Sequence, residues 1–368
     1  MHLEHLLLTN FKNYNKADLS FSGKINCFIG NNGAGKTNIL DAIYYLSFCK
    51  SYFNAVDMQN IRHDMDFFSI HGSYVYNGKE ADNISCVQRR NQKKSFKFNK
   101  KEYERLADHI GKLPLVMISP YDRDLINEGS DVRRKFVDGV ISQFDPIYLD
   151  ELIKYNKSLQ QRNTLLKEFA EQHRHDASLL EIWNQHLVAS GRVIFTKRKQ
   201  FLADFIPIFR NYYSRVSGES ESVAIAYESD LHDMMLDDLL EQALHRDLQV
   251  RYTTVGVHKD NLGFLINEYP LKKFGSQGQQ KSFVIAIKLA QFDYTRNVMG
   301  TKPILLFDDI FDKLDDLRVS QLIQLVSNSN FGQIFITDTQ RQRIEKLFAN
   351  TDIDHRLFEV VDGTVEAI

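Results

Sequence analysis

The segment from Gly30 to Thr37 reads GNNGAGKT, and the apolar, β-branched run INCFI comes directly before it. All fixed positions of the pattern G-x-x-x-x-G-K-[ST] are present, with strand-like sequence before the loop and helix-like sequence after it. Glycines let successive backbone N–H groups turn towards phosphate oxygens, and the following helix adds the positive end of its dipole. The pattern therefore predicts a nucleotide-phosphate loop. The alternative is a glycine-rich turn that contains a lysine by chance.

The predicted roles within this loop differ from residue to residue. Lys36 is expected to reach the β- and γ-phosphates, so it serves both binding and catalysis, and the Thr37 hydroxyl is expected to bind Mg²⁺. The predicted cofactors are therefore ATP and Mg²⁺. The other nucleotide contacts in the loop are expected from Gly30, Asn31, Asn32, Gly33, Ala34 and Gly35.

A second apolar run ends in two acids. Residues 304–309 read ILLFDD, which is typical of a buried strand with carboxylates at its carboxyl end. Asp308 is the predicted metal ligand, directly or through water, and Asp309 is predicted to polarise the attacking water. Because Asp309 is one methylene shorter than the glutamate common in fast ATPases of this type, slow hydrolysis is expected. A buried strand that ends in a solvated acidic turn is the alternative.

A third segment, FGSQGQQKSFVIAIKLAQ, starts at Phe274. Its first part resembles the ABC signature L-S-G-G-Q, of which Ser276, Gly278 and Gln279 are kept. A serine hydroxyl and a glycine amide at a helix N-terminus suit a γ-phosphate oxygen, and in ABC-type ATPases this segment meets the nucleotide of the opposite subunit. The alternative is an ordinary helix N-cap, for which Ser276 is also suitable.

The organisation of the chain follows from its length and its apolar spacing. With 368 residues, about two to three domains are expected. From about Pro146 two apolar stripes at helical spacing, interrupted at residues 173–178, predict an antiparallel hairpin of two helices, each roughly 35–40 Å long. We predict a first ATPase head lobe with the phosphate loop over 1–118, and a mostly helical arm insertion over 119–247. A second head lobe, with the signature, the acid pair and a switch strand, is predicted over 248–368.

Charge and cysteine content narrow the class of protein. The formal net charge is -2, so a nucleic-acid surface would have to be local. Cys27, Cys49 and Cys86 have no metal-ligand spacing, which fits a reducing cytosol and argues against structural zinc. The N-terminal sequence predicts neither a signal peptide nor a membrane anchor, and no apolar stretch approaches the roughly 18 residues of a membrane span. A cytoplasmic protein is therefore expected.

The motifs and their order resemble the RecF family of SMC-like ABC ATPases. NFKNY (Asn10–Tyr14) is similar to the family's N-F-R-N-Y opening, with Lys12 where arginine is usual. Residues 117–149 resemble its F-S-P-E-D-L…G-S-P…R-R-x-F-L-D…P-x-Y-L stretch, and residues 253–264 its T-x-x-G-P-H-R-D-D-L element. With the phosphate loop and signature included, the match runs from near residue 1 to about Thr339.

This resemblance implies an α/β fold, an ABC-type (SMC-like) ATPase head of two lobes with an inserted helical-hairpin arm. It also implies an ATP-dependent homodimer, with two ATP molecules at the seam, that binds duplex DNA near single-strand gaps. With RecO and RecR, such a protein promotes RecA loading in gap repair and SOS induction. Its ATPase activity is expected to be weak, DNA-stimulated and used to release DNA.

Several positions depart from the family pattern. Val257 stands where proline is usual, Lys259 where arginine is usual, and FDKLD (Phe311–Asp315) where S-E-L-D is usual. No Q-loop glutamine occurs near Ser119-Pro120. Asp312 and Lys313 change the loop that is expected to cross the dimer seam, which affects the chemistry expected there and not the expected fold.

Two further positions carry predictions about single side chains. Thr337, followed by Asp338, lies where many ABC proteins place a switch histidine, and its hydroxyl is a candidate γ-phosphate contact. His258 has no nucleophile or carboxylate dyad beside it in the sequence, so a structural or interface role is favoured over catalysis.

Three basic clusters are candidates for DNA contact. Residues 89–101 hold seven Lys/Arg interleaved with two phenylalanines, and the other clusters are Arg133-Arg134-Lys135 and Lys197-Arg198-Lys199. Phosphate contacts from such groups give sequence-independent, salt-sensitive binding. The alternative is a solvated charged face.

Two other functional classes remain open at this stage. An ABC transporter ATPase subunit would need a membrane partner, and the predicted arm argues against it. A P-loop small-molecule kinase would give no purpose to the signature segment and Asp309.

Overall fold

The computed structural model describes residues 1–76, 80–172, 176–217, 221–310, 331–348 and 353–368. The chain forms two compact units, the first from residues 1–122 and 291–368 and the second from residues 123–290. The predicted division at 118/119 and 247/248 stays a prediction. The compact units place the signature segment in the same unit as the long helices.

The first unit contains an antiparallel sheet whose strand order is β2-β1-β4-β5-β6-β7. The alternation of buried and exposed side chains along β1 and β2 is that of a sheet with one covered face. The strands are β1 (His2–Phe11), β2 (Tyr14–Ser20), β4 (Phe67–Val75), β5 (Asp82–Arg89), β6 (Ser95–Phe98) and β7 (Lys101–Glu102).

A second sheet in the same unit is mostly parallel and has the order β15-β14-β3-β13-β12-β8. Its strands are β3 (Ile25–Ile29), β8 (Leu115–Ile118), β12 (Ile304–Phe307), β13 (Ile334–Asp338), β14 (His355–Val361) and β15 (Thr364–Ala367). Every residue of β3, β8, β12 and β13 is buried, as expected for parallel strands covered on both faces. Their carboxyl ends therefore lie side by side at one edge.

Helix α1 (Lys36–Phe48) joins the two sheets of the first unit through one apolar core. Ile39 and Ile43 of α1, Leu8 of β1 and Phe28 of β3 are all fully buried in this core. Phe28 stacks on Phe358, with ring centroids 5.1 Å apart. Helix α9 (Arg341–Phe348) completes the described helices of this unit together with the last residues of α8.

The second unit is mainly helical and includes a small antiparallel sheet of order β11-β10-β9. Its strands are β9 (Val223–Glu228), β10 (Asn261–Ile266) and β11 (Tyr269–Pro270). Its helices are α2 (Asp124–Asn127), α3 (Ser130–Ser142), α4 (Pro146–Gln172), α5 (Ala177–Ser217), α6 (Leu236–Val250), α7 (Leu271–Phe274) and α8 (Gln277–Met299), the last of which continues into the first unit.

Helices α4 and α5 are the predicted pair of long helices, and they are antiparallel. Ser190 donates to Glu151 at 2.7 Å and Arg162 donates to Asn184 at 2.8 Å, so positions along the two helices run in opposite directions. The predicted length is right for α4, which has 27 residues, but wrong for α5, which has 41 and extends about 60 Å. The prediction was too short because α5 continues through Pro207.

Buried ion pairs connect helices of the second unit, in addition to its apolar core. Arg162 is fully buried and its guanidinium lies 2.6 Å from Asp247. Arg198 bridges Asp138 and Asp260, each at 2.8 Å. Such pairs are costly to break because the remaining charge stays buried without its partner. Among the described residues, no helix has both the length and the apolar character needed to cross a membrane.

Candidate nucleotide-binding site

The phosphate loop connects β3 to α1 and depends on its glycines. Gly33 and Gly35 have φ values of 82° and 117°, a region in which residues with a side chain are strained. A Cβ on Gly30 would lie 2.2 Å from the Val360 carbonyl oxygen, so no larger residue fits there. Helix α1 begins at Lys36, directly after Gly35. The structure therefore confirms the predicted strand, loop and helix.

The back of the loop is held by residues far away in the sequence. Asn13 Nδ2 donates to Ala34 O at 2.9 Å, and Tyr14 Oη donates to Gly35 O at 3.0 Å. The backbone N–H of Gly363, in the turn between β14 and β15, also donates to Ala34 O, at 3.1 Å. The NFKNY opening and the C-terminal hairpin therefore both support the loop. Sequence reasoning identified neither role, because no local pattern predicts such contacts.

The Lys36 side chain curls over the loop. Its Nζ donates to Gly30 O at 2.9 Å and to Asn31 O at 3.1 Å, and the residue is only 3% exposed. The ammonium therefore lies against the loop backbone, where a cation can pair with phosphate oxygens.

The two predicted metal ligands are in direct contact. Thr37 Oγ1 donates to Asp308 Oδ1 at 2.7 Å, although 271 positions separate the two residues in the sequence. Burial raises the pKa of Asp308 to about 6, and the neighbouring Asp309 carboxylate adds to this rise, whereas bonds from Thr37 and Thr337 oppose it. A buried carboxylate beside a hydroxyl suits Mg²⁺, which takes one or two protein oxygens and completes its shell with phosphates and water.

Within the described ranges, no cluster of three or more His, Cys, Asp or Glu side chains could hold a metal ion. The oxygen pair formed by Thr37 and Asp308 therefore fits a cation that substrate phosphates also bind, and not a cage built by protein alone.

Asp309 has a strained backbone that Thr337 stabilises. Its φ is 44°, in the left-handed region, and its N–H donates to Thr337 Oγ1 at 2.8 Å. The Thr337 oxygen also lies 3.1 Å from Asp308 Oδ1 and 3.3 Å from Asp309 Oδ1, and Thr337 is fully buried. Thr337 thus orients the acid pair, and its contact with a γ-phosphate stays a prediction.

The segment after strand β8, near Ser119-Pro120 where a Q-loop glutamine is usual, contains a buried aspartate. Strand β8 pairs with β12, and Asp308 N donates to Ile118 O at 2.9 Å. Asp122, four residues further along the chain, is buried and accepts hydrogen bonds from Ser119 N at 2.8 Å and Tyr52 Oη at 2.6 Å. Sequence reasoning missed Asp122 and Tyr52, since only the strand order brings them near the acid pair.

The signature residues cap helix α8 in the second unit. Ser276 Oγ accepts a hydrogen bond from Gln279 N at 3.2 Å, and Gln279 Oε1 accepts one from Ser276 N at 2.6 Å. This reciprocal arrangement is a capping box, so Ser276 serves as the N-cap of α8. Ser276 is exposed, and Gly278 lies in the first turn of α8. The nucleotide contacts of Ser276, Gly278 and Gln279 stay predictions.

The structure gives His258 a structural role, as favoured from the sequence. Its Nε2 lies 3.0 Å from Thr253 O and must donate there, so its Nδ1 accepts from Tyr155 Oη at 2.9 Å. Burial lowers the pKa of His258 to about 4, which keeps the ring neutral.

Lys12, which stands where arginine is usual in the family, forms an ion pair with Asp41 at 2.5 Å. The altered loop at Phe311–Asp315 lies outside the described residues.

The basic clusters contain both structural and exposed cations. Lys94 donates to Cys49 O and Asp57 Oδ2, both at 2.6 Å, and Arg198 is buried among carboxylates. Arg134 donates to the Asp260 carbonyl. These three cations serve the fold. The exposed members of the clusters that carry no described side-chain ion pair with an acid are Arg89, Arg90, Lys93, Lys100, Lys101 and Lys199.

Comparison with known proteins gives a consistent result over the full length. The family model described as RecF/RecN/SMC N terminal domain matches residues 2–360. The chain is 50% identical to the DNA replication and repair protein RecF of Phocaeicola vulgatus, covering 99% of this chain and 98% of that protein. It is also 50% identical to the protein of the same name from Flavobacterium johnsoniae, covering 98% and 100%.

Solved structures show the same relationship. A structure of the recombination mediator protein RecF with ATP in the RecFOR pathway matches with a TM-score of 0.89 and 29% identity, covering 100% of this chain and 97% of that one. The Smc head domain of Pyrococcus furiosus matches with a TM-score of 0.59 and 16% identity, covering 100% and 96%, and indicates the fold alone. The α/β fold is therefore the ABC-type head of SMC-like ATPases with an inserted helical arm. The chain belongs to the RecF/RecN/SMC N-terminal domain family and, within it, to the RecF proteins.

Proposed function

We propose that this chain is an ATP-dependent DNA-binding protein of DNA replication and repair, which acts as a recombination mediator. The observation that carries the proposal is the 2.7 Å contact between Thr37 and Asp308 beside a phosphate loop whose backbone is already shaped. Full-length similarity to RecF proteins, one of them solved with ATP, supports nucleotide binding by this loop.

The residues of the first unit have separate tasks in the proposed site. The N–H groups of residues 30–37 and the Lys36 ammonium bind the triphosphate, while Thr37 and Asp308 hold Mg²⁺. Bound Mg²⁺ would neutralise part of the negative charge of the phosphates. Asp309 orients the attacking water, and Thr337 fixes the backbone that carries Asp309. Since Asp309 is shorter than a glutamate, turnover is slow.

The signature requires a second copy of the chain. We infer a head-to-tail homodimer in which Ser276, Gly278 and Gln279 of one subunit contact the γ-phosphate held by the other. ATP then acts as a timer: the closed dimer clamps duplex DNA near a single-strand gap, and DNA-stimulated hydrolysis reopens it. The exposed lysines and arginines of residues 89–101 are the proposed phosphate contacts, which makes binding independent of sequence and sensitive to salt.

The partners and the compartment follow from the family. The solved RecF structures are described within the RecFOR pathway, so we infer that RecO and RecR act with this chain and that RecA loading and SOS induction are its outputs. Burial raises the pKa of the free thiols of Cys27 and Cys86, and the pKa of Cys49 to about 12, which suits a reducing cytoplasm.

A lysine substitution tests this proposal. Lys36→Arg keeps the charge but enlarges a side chain that is buried against the loop, so ATP-dependent dimerisation and retention on gapped DNA should fall at least tenfold. Lys24→Arg, at an exposed position of the same unit, is the matched control and should behave as wild type. Sedimentation with ATP and a gapped-duplex retention assay measure both effects. Equal dimerisation of wild type with and without ATP would contradict the clamp.

A further inference from the structure

The carboxamide of the signature residue Gln279 has partners on both of its polar atoms. Its Oε1 accepts from Ser276 N, and its Nε2 donates to Glu221 Oε1 at 2.6 Å. The second carboxylate oxygen of Glu221 accepts a hydrogen bond from Tyr213 Oη. Glu221 therefore bridges the last turns of helix α5 and the first turn of helix α8, and all four residues belong to the second unit.

Apolar packing runs parallel to this polar bridge. Phe283, one turn beyond Gln279 in α8, lies 4.7 Å from Phe209 and 6.0 Å from Tyr213, measured between ring centroids. All three rings are buried, at 1% exposure or less. The carboxyl end of α5 and the amino end of α8 therefore share one core, and a displacement of one changes the contacts of the other.

The backbone next to Glu221 is tied to the hairpin that leads into the signature. Ser222 N donates to Asn267 Oδ1 at 3.0 Å, and Asn267 N donates to Ser222 O at 2.8 Å. Asn267 and Glu268 form the turn between β10 and β11, with φ values of 47° and 69°. This double link fixes the position from which Glu221 reaches Gln279.

We propose that Glu221 is a positioning residue of the signature, which holds Gln279 ready for the partner's nucleotide and connects that contact to the helical arm. The inference rests on the proposed ATP-dependent homodimer. A γ-phosphate oxygen that approaches Ser276 competes with Gln279 Oε1 for the Ser276 N–H. Glu221 keeps the displaced carboxamide of Gln279 in place, and the Tyr213 bond passes the change to α5. Charge-assisted hydrogen bonds of this kind are stronger than neutral ones.

The test compares Glu221→Gln with Glu228→Gln, a charge removal on the adjoining strand β9. Glu228 pairs with Asn261 at 2.8 Å and not with the signature, so it is the matched control. In the presence of ATP, the dissociation constant of the dimer should rise about tenfold for Glu221→Gln, since charge-assisted hydrogen bonds contribute about that factor. Binding of ATP to the monomer should change less than twofold, because the phosphate loop belongs to the other unit.

A second variant and a second readout separate coupling from simple folding. Tyr213→Phe keeps the ring against Phe283 but removes the bond to Glu221. Hydrogen exchange should show ATP-induced protection at residues 209–217 in wild type, reduced in both Tyr213→Phe and Glu221→Gln at unchanged thermal midpoints. If wild type dimerises with ATP and Glu221→Gln matches Glu228→Gln in both readouts, the role of Glu221 is overturned. If wild type itself fails to dimerise, the proposed function fails, and the role of Glu221 with it.

Discussion

The carboxylate of Asp308, the proposed metal ligand, is ionised at a cost to the stability of the nucleotide-free fold. It is 3% exposed, and its two hydroxyl partners do not compensate fully for its desolvation, since its pKa rises to about 6. Ionisation of Asp308, which a cation needs, therefore costs more free energy in the nucleotide-free fold than in the unfolded chain. The left-handed φ of Asp309 also costs stability, and strained residues of this kind are common at functional sites.

Asp308→Asn should stabilise the nucleotide-free protein above pH 6. A folded-state pKa raised from 3.8 to about 6 means that wild-type stability is complete below pH 4 and is lost as the pH rises through 6. Asparagine does not ionise and retains an oxygen for Thr37, so the gain should reach at most about 3 kcal/mol at pH 8 and vanish near pH 4. Urea unfolding at both pH values, in EDTA, measures it.

Glu104→Gln, at an exposed acid of the same unit, serves as the control for this substitution and should show no such pH dependence. The same Asp308→Asn protein should lose Mg²⁺-dependent ATP binding. A variant less stable than wild type at pH 8 would show that the carboxylate is favourably ionised in the fold and would contradict the argument.

At the scale of elements, the C-terminal hairpin β14–β15 supports the phosphate loop. The φ of Gly363 is 80°, and a Cβ there would lie 2.7 Å from Asn13 O, a backbone atom that cannot swing away. Gly363→Ala should therefore displace the hairpin turn from Ala34 and weaken ATP binding about fivefold to tenfold, in addition to a cost of about 1–2 kcal/mol for the left-handed alanine.

Gly300→Ala is the matched control for the hairpin, because it separates backbone strain from steric contact. Gly300 also has a positive φ, 64°, but a Cβ there would meet no atom within 4 Å. Both variants should lose stability in thermal unfolding, and only Gly363→Ala should lose affinity in a fluorescent-nucleotide titration. Equal ATP affinities for the two variants would remove the supporting role of the hairpin.

The elements divide into those that the sequence predicts and those that it cannot. Local sequence patterns predict β3, α1 and β12. Apolar runs favour the two strands, and the glycine-rich loop before Lys36 favours the start of the helix. The pairing of β14 with β3 joins residues more than 300 positions apart and has no local signal. Glu221 is one of two acids in the stretch SGESES (residues 217–222), and nothing in that sequence distinguishes it from Glu219, so only the folded chain identifies its contact with Gln279.

At the scale of the whole molecule, two segments that are distant in the sequence form one compact unit. The first unit is built from residues 1–122 and 291–368, and Gln333 joins the two parts: it accepts from Leu3 N and donates to Leu3 O, both at 2.7 Å. The second unit is inserted between them. The proposed phosphate and metal ligands belong to the first unit, and the signature residues belong to the second.

Among the described residues, His109 in the first unit and His258 in the second are largely removed from water, and this predicts the response of the molecule to acid. Burial lowers the pKa of His109 in the first unit and of His258 in the second to about 4. His109 Nε2 lies 2.7 Å from Leu46 O, a bond that fixes its tautomer as His258's is fixed by Thr253. A protonated ring at either position would carry its charge in a site that is largely removed from water.

The direction of the pH dependence follows from the linkage between protonation and folding. A histidine whose folded-state pKa is depressed below 6.5 contributes stability that is present above pH 6.5 and is lost as the pH falls towards 4. A shift of this size corresponds to at most about 3 kcal/mol for each histidine. His258→Gln should therefore lower stability at pH 8 yet flatten the loss between pH 6.5 and 4, whereas His63→Gln, at an exposed position, should leave the profile of wild type. Urea unfolding across this range measures the slopes. If His258→Gln and wild type lost stability in parallel, the pKa of His258 would be the same in the folded and unfolded chains, and the argument from desolvation of this ring would be wrong.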